Sequence, residues 1–192
     1  MSYGSKTDSE GRIIGADSGY IAPNVGTPEK PYVEDVKISG IELEDNRAVF
    51  LFEQPNGAVV KHTEFESDQS WAQDNTTRRV KHICTKIVSV EEYDKAVLET
   101  ESFSSFIDSV IDLLRGRTKN KKFRVKFVYN KKNFVCLPNF PNFIESMDVP
   151  EEKTSIRYNV NYDNLVPSIP DEESENTKNV EGTKKDAIDE DW

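Results

Sequence analysis

The chain has 192 residues, 35% of them hydrophobic and 31% charged, a size and polarity that suit one core with polar appendages and exclude two full cores. No run of 18 apolar residues and no basic-then-apolar leader occurs, so neither a membrane span nor a signal peptide is expected, and a soluble cytoplasmic protein is. The net charge of −10 is segregated: residues 1–77 carry −8, 78–132 carry +7, 133–170 carry −3 and 171–192 carry −6, so an acidic total hides a basic middle.

Residues 1–31, rich in Gly, Ser, Asp and Pro without apolar periodicity, are expected to be a flexible arm. From Tyr32 to Leu43 the alternation of Val36 and Ile38, then Ile41 and Leu43, across Gly40 predicts a bulged strand, either a long bent first strand or an extra edge. Ala48–Phe52 and Ala58–Phe65 flank Gln54-Pro55-Asn56-Gly57 and predict a hairpin. Residues 67–77 read as a polar loop carrying Trp71. Alternation from Arg78 to Val90 predicts a further strand. Phe103, Phe106, Ile107, Val110, Ile111 and Leu114 fall at helical spacing, with Ser102 as N-cap and Gly116 as stop. Phe123–Tyr129 and Phe134–Leu137, joined by Asn130-Lys131-Lys132-Asn133, predict a second hairpin with a basic tip. The Pro, Asn and aromatic residues that follow suggest chain wrapped on the surface, over 148–170, and 171–192 is expected to be a disordered acidic tail.

Cys84 and Cys136 are far apart, His62 and His82 have no ligand spacing, and reduced structural thiols with no metal or cofactor are expected. No P-loop, nucleophile elbow or Cys/His pairing is present, which argues against an enzyme.

Three strands, one helix and two strands follow the element order of an OB-fold, a partly open barrel of five or six strands, expected over 32–147 in a mainly β protein. Strand alternation that points Phe123, Val125 and Phe127 inward would turn Arg124 and Lys126 outward. Between Asp112 and Glu145 nine basic residues stand without one carboxylate. Arg124 and Lys126 would then share a cationic face with Lys119, Lys121, Lys122, Lys131 and Lys132, extended by Arg78, Arg79, Lys81 and Lys86. Such a face with exposed rings (Trp71, Tyr129 and Phe134 are the candidates) suits single-stranded nucleic acid, whose phosphates need cations and whose bases need stacking platforms. Phe140 and Phe143 are expected to pin the later segment.

This organisation resembles the single-stranded DNA-binding proteins of phage and bacterial type: an OB-like body, a basic face, and an acidic tail ending in an aromatic, here Asp189-Glu190-Asp191-Trp192. The resemblance implies a DNA-binding, non-catalytic coat for single-stranded DNA in replication, recombination or repair, in a bacterial or phage-infected cytoplasm. It also implies that Asp189, Glu190, Asp191 and Trp192 recruit replication or repair proteins. The tail departs from the bacterial form in having no Pro and Trp in place of Phe. Oligomeric state is left open. The alternative from another class is an acidic protein–protein adaptor, or a mimic of DNA charge, in which the basic loops are incidental.

Overall fold

The computed structural model describes residues 21–168 apart from Pro141, together with two short paired strands, Lys6–Thr7 and Ile13–Ile14. The predicted acidic tail, with Asp189, Glu190, Asp191 and Trp192, lies outside the described residues.

The organising strand is β1 (Val33–Glu44), which serves two neighbours in turn. Residues 37–44 pair antiparallel with β2 (Arg47–Glu53), while Val33 and Val36 pair with β4 (Phe123–Val125). Two irregularities permit this. The register slips between Ile38 and Gly40, and Asp35 adopts a left-handed φ of 57°. A bulge adds local twist, so the long bent first strand is realised, and the bulge falls beside Gly40 as the sequence predicts. At Gly40 a Cβ would come within 3.3 Å of Leu51 Cδ1.

β2 and β3 (Val59–Phe65) form the predicted hairpin, closed by Gly57 at φ 86° and by the Gly57 N–H to Gln54 carbonyl bond of 2.9 Å. After β3 come three helices, where the sequence predicts one: α1 (Ser70–Cys84), α2 (Val90–Val97) and α3 (Phe103–Leu114). The chain then returns to β4 beside β1, forms a separate small hairpin from β5 (Val128–Tyr129) and β6 (Val135–Cys136), and ends the main sheet with β7 (Ile144–Ser146). The main sheet is antiparallel, in the order β3-β2-β1-β4-β7. A three-strand meander whose fourth strand returns beside the first is a Greek-key path. β6 packs beside β3 without joining its ladder, so the described sheet is open, not a closed barrel.

The largest correction concerns residues 67–90. The expected loop and strand give way to α1 and a turn into α2, because Thr76, Val80 and Cys84 recur at a spacing of four that fits both periods and, with Ile83, form the buried face of α1. Gln69 caps α1 without a side-chain bond, so no N-terminal signal marked it. α2 was marked: Ser89 and Glu92 form a complete capping box. α3 is as predicted, with Ser102 capping Ser105 N–H and Gly116 left-handed at φ 72°. The fold is therefore mixed and sheet-rich.

Two further expectations change. Residues 21–31 are not a free arm: Gln54 exchanges two bonds with the Asn24 backbone (2.7 and 2.8 Å), laying this segment along the β2–β3 turn. The fifth sheet strand is Ile144–Ser146, not Phe134–Leu137. The core lies between the sheet's inner face, with Val36, Ile38, Phe50, Phe52 and Phe123, and a helical face from α1 and α3 that includes Val80, Ile83, Ile107 and Val110. Phe127 meets Phe52 edge-on with centroids 6.1 Å apart. Cys84 is buried and Cys136 half-buried, both as free thiols. Among the described residues no helix is long and apolar enough to cross a membrane.

Candidate nucleic-acid interface

The predicted basic face divides into three groups with different surroundings. The first is buried. Phe123, Arg124, Val125, Lys126 and Phe127 are all inside, so β4 and the two residues after it do not present Arg124 and Lys126 to solvent as strand alternation predicts. The neighbouring strands β1 and β7 and the segment 149–163 behind them supply the reason. Arg124 bonds Glu34 at 3.2 Å and the Val149 carbonyl at 2.5 Å, and faces Glu145 at 3.6 Å. Lys126 bonds Asp163 at 2.7 Å and the Arg157 carbonyl at 2.9 Å. Burying a cation is costly unless a carboxylate accompanies it, and each has one. Neither is available to a phosphate.

The second group is exposed, apart from half-buried Lys81 and Lys86, but dispersed. Lys81 pairs with Asp94 at 2.6 Å, Lys122 with Asp35 at 3.0 Å, and Lys121 Nζ donates to the Ile87 carbonyl at 3.1 Å. Arg115 and Arg117, from the same carboxylate-free interval, pair with Asp112 and Glu92 at 2.6 and 2.9 Å. Lys86, Lys119, Lys131 and Lys132 make no ion pair with a described residue, and Lys131 and Lys132 sit at the β5–β6 tip beside exposed Phe134. Tyr129 is half-buried, its backbone N–H donating to Asn164 O.

The third group shares a concavity. Trp71, Asn75, Arg78, Arg79 and His82 recur at intervals of three and four along α1 and so form one stripe. That stripe faces the 139–143 loop. Between them lies a groove of about 530 Å³ rimmed by Phe65, Trp71 and Phe140, with Asn75, Arg78 and Asn139 along it. Its rings stand well out of the protein: Trp71 is 66% exposed, Phe65 59% and Phe140 53%. Phe140 also leans on Tyr162, centroids 4.6 Å apart, so it both pins the later segment and rims the groove.

Behind the groove a buried network fixes Arg79. Glu64, on the inner face of β3, takes two donors from the Arg79 guanidinium, the Thr76 hydroxyl at 2.7 Å and His62 Nε2 at 2.9 Å. Burial raises the Glu64 pKa, but these donors outweigh it and hold the carboxyl down at about 2. It is thus an anion at neutral pH, and Arg79 is oriented by it. Arg78 makes no ion pair with a described residue, and among the described residues the only other carboxylate lining the groove is Glu66.

His82 holds the opposite wall. Its Nε2 accepts the Asn142 N–H at 3.2 Å and its ring meets buried Phe143 edge-on at 4.9 Å. Burial, with Lys86 nearby, lowers its pKa to about 4, so at neutral pH the ring is uncharged with Nε2 as acceptor. Of the predicted site residues the structure therefore brings together Trp71, Arg78 and Arg79. It adds Phe65, Phe140, Asn75, Asn139 and the buried Glu64. The helical stripe from Trp71 to His82 was the sequence signal for this group.

Among the described residues no cluster of three His, Cys, Asp or Glu could hold a metal ion. Comparison of the chain with protein-family models, curated proteins and solved structures finds no match.

Proposed function

We propose that this chain binds single-stranded DNA through the α1 groove and coats it in replication, recombination or repair, with the acidic segment 171–192 recruiting replication or repair proteins. The observation that carries this reading is the groove itself, in which exposed Trp71 and Phe140 accompany Arg78 and a pre-oriented Arg79. Bases stack on such rings at about 1 to 3 kcal/mol each, whatever their sequence. Arg78 neutralises phosphate, the N–H groups of Arg79 that Glu64 leaves unused donate hydrogen bonds to it, and the Asn75 and Asn139 amides offer hydrogen bonds to base edges. The long β1 shared between β2 and β4, with β6 lying beside β3, supports an OB-like arrangement of the strands.

The site is narrower than the basic stretch of sequence. Arg78, the groove cation with no carboxylate partner among the described residues, neutralises about one phosphate, which gives a slope of log affinity against log salt of about −0.7, against about −3.5 for five contacts. Titration with an oligo-dT at two salt concentrations, followed by tryptophan emission in the wild type and in Trp71→Ala, tests both statements. Quenching that disappears in the variant, with the shallow slope, is the expected result; an unquenched wild type with no measurable affinity refutes the reading. Removing residues 171–192, nine of which are acidic, is expected to tighten strand binding, because a polyanionic segment competes for the same arginines.

A second reading draws on the ion pairs. Because Arg124, Lys126, Lys81 and Lys122 are matched to carboxylates, the molecule also fits an acidic adaptor that binds no nucleic acid. Arg78→Glu separates the two, since the adaptor loses nothing by it.

A further inference from the structure

Two features complement each other: one lies away from the groove, and the other adjoins it, sharing Phe65, Glu66, Ser67 and Thr76 with its wall. The first is the β5–β6 tip, a built knob. Asn130 Oδ1 accepts the N–H groups of Lys132 at 2.9 Å and Phe134 at 3.0 Å, Asn133 is left-handed at φ 61°, and Asn133 exchanges two side-chain bonds with the Ser168 backbone (2.9 and 2.8 Å). With the backbone held in this way, Lys131, Lys132 and a 66%-exposed Phe134 stand outward, and neither lysine is in an ion pair with a described residue. Little ordering remains to be lost on docking.

The second is a cavity of about 430 Å³ between the β3–α1 connection and the start of α3. Its apolar members are Phe65, Val97, Phe103 and Phe106, and its acidic members are Glu66, Asp68 and Glu101. Among the described residues no basic one lines it, and none of the three acids is in an ion pair with a described residue. The occupant that suits it is small, cationic and aromatic. Knob and cavity share no residue, so one copy can offer its knob to a neighbour while its own cavity receives another.

We propose that the Lys131–Lys132 tip of one copy docks in the Glu101 cavity of the next, Phe134 meeting the phenylalanines and the lysines meeting the acidic rim. Because the two patches differ, the contact is heterologous and propagates instead of closing. It is also small, hence weak between free copies, and gains strength when a common strand holds neighbours at high effective concentration. That last step rests on the proposed strand binding; the contact itself does not.

Zero-length carbodiimide coupling of the full chain, as an equal mixture of normal and ¹⁵N-labelled protein, reads the contact without DNA. Mixed-isotope cross-links from Lys131 or Lys132 to Glu66, Asp68 or Glu101 are expected; their absence, or cavity cross-links to lysines 119–122 instead, overturns the proposal. A second readout is the affinity for an oligo-dT that holds two copies relative to one that holds a single copy. Reversing the tip (K131E/K132E) or the rim (D68K/E101K) is expected to lower this ratio about tenfold, by turning attraction into repulsion. Combining all four reversals is expected to restore it to within about twofold; a combined variant no better than either double overturns the proposal. If no oligo-dT binds at all, strand binding is refuted and the cross-links alone decide the contact.

Discussion

Residues 119–132 and residues 71–82 both set basic side chains among aromatic ones, yet in the first Arg124 and Lys126 are spent inside the protein and the exposed lysines are dispersed, whereas the second gathers its cations beside exposed rings. Arg124 and Lys126 lie among β1, β7 and the segment 149–163 and meet Glu145 and Asp163 there, whereas Arg78 lies on a helix face whose opposite wall is an aromatic loop. A run of cations in sequence becomes a field in space only where the fold leaves it uncovered. Once covered, it must be matched by carboxylates, and the match removes it from ligand chemistry.

The sharpest way to break this contrast is to remove a carboxylate from the buried region. Asp163→Ala leaves the Lys126 ammonium buried and unpaired and is expected to cost about 3 to 5 kcal/mol, a fall of about 10 °C in the thermal midpoint. Oligo-dT affinity per folded molecule should not change; if it does, the buried cations take part in binding. Trp71→Ala is the converse. It is expected to weaken oligo-dT binding by about 5- to 150-fold, the equivalent of one lost stacking platform, while leaving the thermal midpoint within about 2 °C because the ring is exposed.

Charge reversal discriminates more finely. Arg78→Glu is expected to reduce affinity about tenfold and Lys119→Glu by less than about twofold at moderate salt, since only the former lines the groove. Equal losses would restore the broad cationic face. Acid stability gives a separate readout, on the groups that fix the groove. The His82 pKa is lowered from 6.5 to about 4, so the stability tied to its neutral form is full above pH 6.5 and is lost as pH falls towards 4. The Glu64 carboxyl is lowered from 4.5 to about 2, so its contribution is full above pH 4.5 and is lost towards pH 2. Urea midpoints should therefore decline in two stages on acidification. His82→Gln, whose amide oxygen can still accept the Asn142 N–H, is expected to flatten the upper stage and leave the lower one.

Much of the sheet was legible because its signals are local. Asn56-Gly57 closes the β2–β3 hairpin, the change of alternation around Gly40 marks the bulge, and the Ser102 cap with the Gly116 stop bounds α3. The 70–84 region was misread because Val80, Cys84 and their neighbours satisfy two periods at once, and the polar first half of α1 has no side-chain cap. Of the site, Trp71, Arg78 and Arg79 were named, but not that they share one helix face. Phe65 and Phe140 join them only because β3 and the 139–143 loop converge there.

The amino-acid order alone determined where the turns fall, which segments carry apolar faces, and that basic and acidic groups are concentrated in different stretches, since each depends on neighbours a few residues apart. Tertiary structure decided which cations meet anions. Arg124 and Glu34 are 90 positions apart and Lys126 and Asp163 are 37 apart, and pairing at such range follows from burial and sheet order, to which local spacing is blind.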